Sequence, residues 1–391
     1  MHPIVLTATT VVSAIGRGAA ATLQALRSRR GALRPCDFGK VSDGYIGRVD
    51  GLESHRLPAG LARFDCRNNR LADLALRTDG FAGTVAAASA RYGADRIAVV
   101  LGTSTSGVLS GEEAYRARDQ HTGALPATFD YGVTQDMFSL AGFVRAALAL
   151  RGPAMVVSTA CASSARTFID ARQLMECGVC DAVIVGGADS LCSMTLRGFA
   201  SLDLISPDAC RPCDAGRGGI SIGEAAGFAL LEREGVGTAL LGCGTSSDGY
   251  HMSAPHPQGA GAIAAMRAAL EVAGLSAADI DYVNLHGTGT RANDAMEDTA
   301  MAEVFGAATP CSSTKGWTGH TLGASGILEA VITGLCIDHG FLPGCLNVTR
   351  LDPAFRARVI LANEQRPIRR VMSNAFGFGG INCSLIFGTV P

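Results

Sequence analysis

Apolar, strand-like runs alternate with Ala- and Leu-rich stretches of helical period from one end of this chain to the other. That alternation is the mark of stacked βαβ layers, and it confines the chain to the α/β class. Arg96-Ile97-Ala98-Val99-Val100-Leu101, Ala154-Met155-Val156-Val157 and Asp181-Ala182-Val183-Ile184-Val185 read as strands. Helices are predicted over Ala19 to Leu26, Ala162 to Glu176, Gly261 to Val272, Asp294 to Val304 and Ser325 to Ile337. With 391 residues, 48% hydrophobic and 17% charged, the chain can bury a large core, and 49 glycines suit many tight turns.

The pattern also repeats. Ile97-Ala98-Val99-Val100-Leu101-Gly102-Thr103-Ser104-Thr105 resembles Tyr282-Val283-Asn284-Leu285-His286-Gly287-Thr288-Gly289-Thr290, and Ser158-Thr159 with its following helix resembles Ser313-Thr314 with its own. Two similar halves, 1–235 and 236–391, would account for both pairs.

A formal net charge of −2 gives no electrostatic case for nucleic acid. Met1-His2-Pro3-Ile4-Val5-Leu6 lacks the basic lead and apolar core of a signal peptide, and no apolar run is expected to reach the ~18 residues of a membrane span. The expected location is the cytoplasm. The 13 cysteines are an odd number, scattered through apolar segments, and suit reduced buried thiols rather than a disulfide framework.

One cysteine differs from the others in position. Cys161 follows an apolar strand, sits among Ser158-Thr159-Ala160 and Ala162-Ser163-Ser164, and immediately precedes a helical stretch. A helix N-terminus favours thiolate over thiol, which is what a nucleophile needs. Packing is the ordinary role of a buried cysteine, and it remains the alternative.

His286 and His320 each stand among glycines and threonines on turn-prone segments. Two neutral imidazoles donating N–H bonds to a thioester carbonyl would stabilise the enolate left when a neighbouring carboxylate departs as carbon dioxide. Lys315 precedes His320 in a Lys-x-x-x-x-His spacing, Glu329 follows it on a predicted helix, and Asp294 and Glu297 share a helical face at i,i+3. These groups would orient the imidazoles; a surface lysine and a solvated acidic face are the alternative.

Ser373-Asn374-Ala375-Phe376-Gly377-Phe378-Gly379-Gly380 would supply an oxyanion-hole N–H and a movable aromatic gate. Cys177-x-x-Cys180 and Cys210-x-x-Cys213 have zinc-like internal spacing but enclose strand-like and apolar sequence instead of a small zinc module. His251 and His256 lie near Pro255 and Pro257 in a loop-like stretch.

Further motifs complete an ordered series. The run Thr7-Ala8-Thr9-Thr10-Val11-Val12-Ser13-Ala14-Ile15-Gly16 precedes Cys161, and Arg211-Pro212-Cys213-Asp214 and Gly223-Glu224-Ala225-Ala226-Gly227 follow it. Then come His286-Gly287-Thr288-x-Thr290, Lys315 to Gly326, and Gly377-Phe378-Gly379-Gly380-Ile381-Asn382. In this order the chain resembles the β-ketoacyl-acyl carrier protein synthases of the elongating, Cys-His-His type, within the thiolase-like superfamily.

The resemblance implies a five-layered αβαβα fold of two similar halves, and a dimer. It makes Cys161 the acyl acceptor, His286 and His320 the pair that assists decarboxylation, and the N–H groups of Cys161 and Phe378 the oxyanion hole. Lys315, with Glu329, would fix the histidines, and Asp294 and Glu297 match further acidic positions. Thr105, Phe199, Ser253 and Phe378 are expected at the substrate. The implied reaction extends an acyl thioester by two carbons from malonyl-carrier protein, with no metal or organic cofactor, since phosphopantetheine arrives on the acyl carrier protein.

Departures from the family pattern at Thr105, at Asp203 and from Gly107 to Phe138 hint at a specialised polyene or polyketide pathway in place of bulk fatty acid synthesis. A homodimer is expected, or a heterodimer with a chain-length-factor-like subunit. The alternative is that this chain is itself such a non-catalytic partner, which the presence of Cys161 and both histidines argues against. A carrier protein is expected to dock near Arg63, Arg67 and Arg70.

Overall fold

The computed structural model describes residues 3–39 and 43–389. Its strands of alternating and continuous apolar character join into one twelve-stranded sheet. The principal strands are β1 (Ile4–Ser13), β2 (Ile97–Gly102), β3 (Ala154–Val157), β4 (Ala182–Asp189), β5 (Ala225–Glu232), β6 (Thr238–Ser247), β7 (Tyr282–Asn284), β8 (Pro310–Ser312), β9 (Arg358–Val359), β10 (Arg370–Gly377) and β11 (Ile381–Thr389). Their order across the sheet is β9-β8-β7-β10-β11-β6-β1-β5-β4-β2-β3.

The sheet reads the same outward from its middle. On one side β1 pairs antiparallel with β5, β5 antiparallel with β4, and β4, β2 and β3 run parallel. On the other, β6 pairs antiparallel with β11, β11 antiparallel with β10, and β10, β7 and β8 run parallel. The two sides meet at β1 and β6, through Ile4 opposite Leu240 and Val5 opposite Ala239. The repeat seen in the sequence therefore occupies equivalent places: β2 and β7 hold the same position in their respective sides, as do β3 and β8.

Helices α1 (Arg67–Leu76) and α2 (Ser139–Ala147) pack on one outer face, against β1, β4 and β5 and against β2 and β3 respectively. Helix α3 (Ala260–Ala273) covers β6 and β11 on the other. Between them lie α4 (Ser163–Glu176) and α5 (Ser325–His339), each touching strands of both sides. The resulting order is αβαβα. Residues such as Phe168, Ile327, Ile332 and Phe387 are buried in the core around these central helices.

Sandwiching explains the composition of α5. A helix covered on both faces must be apolar nearly all round, and Leu322–His339 has a mean hydropathy of 1.2 with 83% of its residues buried. Length and composition alone would let this segment cross a membrane, which corrects the expectation that no run reaches that limit; here it is the central core helix. Close packing of the middle layer also dictates Gly102, where an added Cβ would lie 2.4 Å from the backbone nitrogen of Ser164.

Candidate active site

Cys161 lies in a single 3₁₀ turn, Ala160–Ala162, between β3 and α4. Ala160 is held at φ 48°, an uncommon conformation for a residue with a side chain, so the surrounding packing stores strain at the nucleophile. The backbone N–H groups of Phe378 and Cys161 itself both bond toward the sulfur. Gly377 permits this approach, because a Cβ there would sit 2.6 Å from the Thr159 carbonyl oxygen.

The thiol is 5% exposed, and burial pushes its pKa up to about 12. Lys315 and the two N–H groups pull the other way, and the Asp189 carboxylate adds to the rise. The expectation of a resting thiolate is thus corrected: desolvation outweighs the field at the start of the helix.

His286 follows β7, and its backbone is clamped from α6 (Arg291–Phe305). Glu297 accepts the N–H of His286 at 2.8 Å and of Gly287 at 2.7 Å. Asp294, one turn earlier, accepts from Gly289 and Cys213 and faces Arg217 at 3.6 Å. Both carboxylates are buried, so this face is a scaffold and not a solvated one. Burial raises Glu297 to about 7 and shifts Asp294 upward, with backbone N–H donors opposing in each case.

Lys315 Nζ bonds the His286 carbonyl, sits 3.5 Å from His286 Nδ1 and pairs with Glu329 at 2.5 Å. At 1% exposure it is no surface lysine. His320 Nδ1 receives the N–H of Leu322 at 3.2 Å and lies 3.1 Å from the Ser325 hydroxyl. The two imidazoles are 5.3 Å apart with their planes at 83°. Burial first, and then the Lys315 charge, hold both well below the usual histidine range, so both are neutral at pH 7.

Among the described residues, Cys161, His286 and His320 form the group whose ligating atoms converge, within 4.8 Å of one another. Such a set also matches zinc ligands, though coordination would need the thiolate that burial opposes. The two Cys-x-x-Cys pairs do not join it: Cys177 is exposed, whereas Cys180, Cys210 and Cys213 are buried.

A cavity of about 270 Å³ opens onto Cys161, His286 and His320, and Phe199, Ser253 and Phe378 line it. The Phe199 and Phe378 rings lie 5.6 Å apart. Thr105 does not line this cavity; it is fully buried, with its hydroxyl and N–H both given to Asp189. Asp189 escaped the sequence reading, yet it also accepts from Thr103, Ser104 and Gly323 and ties the end of β4 to the loop after His320. The signal was the one acidic residue closing the run Val185-Gly186-Gly187-Ala188-Asp189.

Two of the three arginines expected at the docking face are already paired with carboxylates. Arg67 makes a two-pronged pair with fully buried Glu224 and reaches Glu53, while Arg70 is locked on Asp65 through two 2.6 Å bonds. Only Arg63 of the three is exposed, with its guanidinium over the Phe64 ring at 4.7 Å. They form no free basic patch, because carboxylates already occupy two of them.

The N-terminal domain model of the β-ketoacyl synthases matches residues 1–236, and the C-terminal domain model matches residues 238–349. The chain belongs to the β-ketoacyl synthase family. It is 37% identical over 308 residues to nodulation protein E of Rhizobium meliloti, covering 75% of this chain and 76% of that one. It is 32% identical over 427 residues to 3-oxoacyl-[acyl-carrier-protein] synthase 2 of Rhizobium meliloti strain 1021, covering 99% and 98%. Among solved structures, it superposes with a TM-score of 0.91 on a chain of the ketosynthase (ApeO) complex with its chain length factor (ApeC) from Xenorhabdus doucetiae. That match has 41% identity and covers 100% of this chain and 98% of the other. The fold is therefore the thiolase-like ketosynthase fold, and the chain is an acyltransferase of the 3-oxoacyl-acyl carrier protein synthase type.

Proposed function

We propose that this β-ketoacyl synthase holds an acyl chain on Cys161 and condenses it with malonyl-carrier protein. The observation that carries the reading is the convergence of the Cys161 thiol, two neutral imidazoles and two backbone N–H groups at the end of one cavity.

In the first half-reaction the Cys161 sulfur attacks the thioester carbonyl, whose developing oxyanion faces the N–H groups of Cys161 and Phe378. The new carbon–sulfur bond forms as the bond to the pantetheine sulfur breaks, and the thiol proton of Cys161 ends on the departing thiol. In the second, malonyl thioester loses carbon dioxide and the electron pair passes into an enolate, whose oxygen accepts N–H bonds from His286 and His320. The enolate carbon attacks acyl-Cys161, the Cys161 thiolate leaves and takes up one proton from solvent to restore the resting thiol, and a β-ketoacyl thioester two carbons longer departs. No resident metal or organic cofactor enters this scheme.

Under this reading residues 1–235 carry the nucleophile and residues 236–391 carry both imidazoles and the gate. The working assembly is a dimer in the cytoplasm, either of two copies or with a chain-length-factor-like partner. The similarity to the ApeO–ApeC complex favours the latter, and the departures from the family pattern at Thr105, at Asp203 and from Gly107 to Phe138 favour a specialised polyene or polyketide pathway. A non-catalytic role for this chain is disfavoured by the intact Cys161, His286 and His320. The test is to offer the protein acyl-carrier and malonyl-carrier proteins and detect both the acylated enzyme and the elongated thioester; absence of both rejects the reading.

A further inference from the structure

The helix Ser193–Ser201 starts after Cys192, whose sulfur engages Thr195, 3.3 Å from its hydroxyl, and leaves the N–H groups of Ser193 and Met194 to other acceptors. Those two first-turn N–H groups therefore need an acceptor from elsewhere. Glu112 supplies one from a separate helix, Val108–Arg116. Its carboxylate accepts the Met194 N–H at 2.6 Å and the Ser193 N–H at 3.2 Å. Arg116, one turn along, pairs with Glu112 at 3.1 Å and donates to the Ser193 hydroxyl at 3.1 Å. The same carboxylate complements the positive end of the helix dipole.

The far end of the capped helix carries Phe199, whose ring faces Phe378 in the cavity above Cys161. Glu112 itself does not line that cavity. It belongs to the stretch from Gly107 to Phe138 that the sequence sets apart. We propose that Glu112 is a positioning residue for the acyl passage: by seating the Ser193–Ser201 helix it fixes the Phe199 ring against which Phe378 rests, and with it the acyl chains that reach Cys161. The proposal rests on the condensing-enzyme reading for the identity of the acyl group.

The test compares wild type, Glu112→Ala, Glu112→Gln, Phe199→Ala and the Glu112→Ala/Phe199→Ala double variant. Acyl-enzyme formation is followed by intact mass with short- and long-chain acyl-pantetheine thioesters, and hydrogen exchange is measured over residues 193–201. Glu112→Ala should change the long-to-short ratio of KM by on the order of fivefold, the size of a lost helix cap, with the saturated acylation rate kept. Glu112→Gln should restore most of the ratio, since its amide oxygen still accepts the Met194 N–H. The double variant should change no more than Phe199→Ala alone.

An unchanged ratio in Glu112→Ala, or strictly additive effects in the double variant, overturns the proposal. If Glu112→Ala does not fold, Arg116→Ala replaces it, with a smaller shift in the same direction expected and no shift counting against the proposal. Wild-type protein that takes up no acyl group rejects the condensing-enzyme reading and the passage with it. Faster exchange over residues 193–201 in Glu112→Ala would then still uphold the cap.

Discussion

The backbone N–H of Leu322 points at Nδ1 of His320 from 3.2 Å, and Leu322 is held at φ 53° to place it there. A donor at Nδ1 makes that nitrogen the acceptor, so the ring proton resides on Nε2. The Lys315 ammonium beside His286 Nδ1 imposes the same tautomer on the second ring. Both imidazoles are thereby set as N–H donors toward an oxyanion. Asp189 holds the turn by accepting the Gly323 N–H at 2.6 Å.

His286→Ala and His320→Ala should each lower carbon dioxide release from malonyl-carrier protein by about 10²–10³-fold, the usual loss for one oxyanion donor. Acylation of Cys161 should survive in part. Undiminished release in both single variants would remove the histidines from this role.

The same two rings set a pH dependence. Each is held well below 6.5 in the folded protein, so neither gains a proton as pH falls from 8 through 6.5. The rate of malonyl decarboxylation should show no inflection near 6.5. The unfolded chain does take up those protons, so this pair makes folding stability fall as pH drops below about 6.5. Glu297, raised to about 7, acts with the opposite sign and offsets part of that loss as it protonates. His320→Ala should flatten the acid limb of a thermal-melting series, and an unchanged limb would contradict the assignment.

Cys161 rests as a thiol with its pKa near 12. Alkylation by iodoacetamide, followed by mass mapping of the Cys161 peptide, should keep accelerating with pH beyond 9 in the substrate-free enzyme. A plateau at or below pH 8 would mean a resting thiolate.

Arg67→Ala should cost about 3–5 kcal/mol, because it leaves the Glu224 carboxylate buried without its partner. Arg63→Ala removes an exposed side chain and should change stability by less than about 0.5 kcal/mol. Denaturant melts of the two variants make the comparison.

The layers and the convergent site were legible because their signals are local. Strand β3 and the start of α4 could be read around Cys161 from apolar runs and small residues, and the motifs at His286 and His320 mark turns whose chemistry needs glycine and threonine nearby. What escaped depends on partners distant in sequence. Nothing near Arg67 announces Glu224, and nothing near Thr105 announces that Asp189 will take its hydroxyl. The protonation of Cys161 was misjudged for the same reason: helix position is visible in sequence, while the desolvation that overrides it exists only once both halves close over the sulfur.

The central claim is that Cys161 carries the acyl group, and intact-mass measurement of wild type and Cys161→Ala after exposure to a panel of acyl-carrier proteins tests it most directly. Wild type should gain the mass of one acyl group and Cys161→Ala none. An equal gain in the variant would place the nucleophile elsewhere.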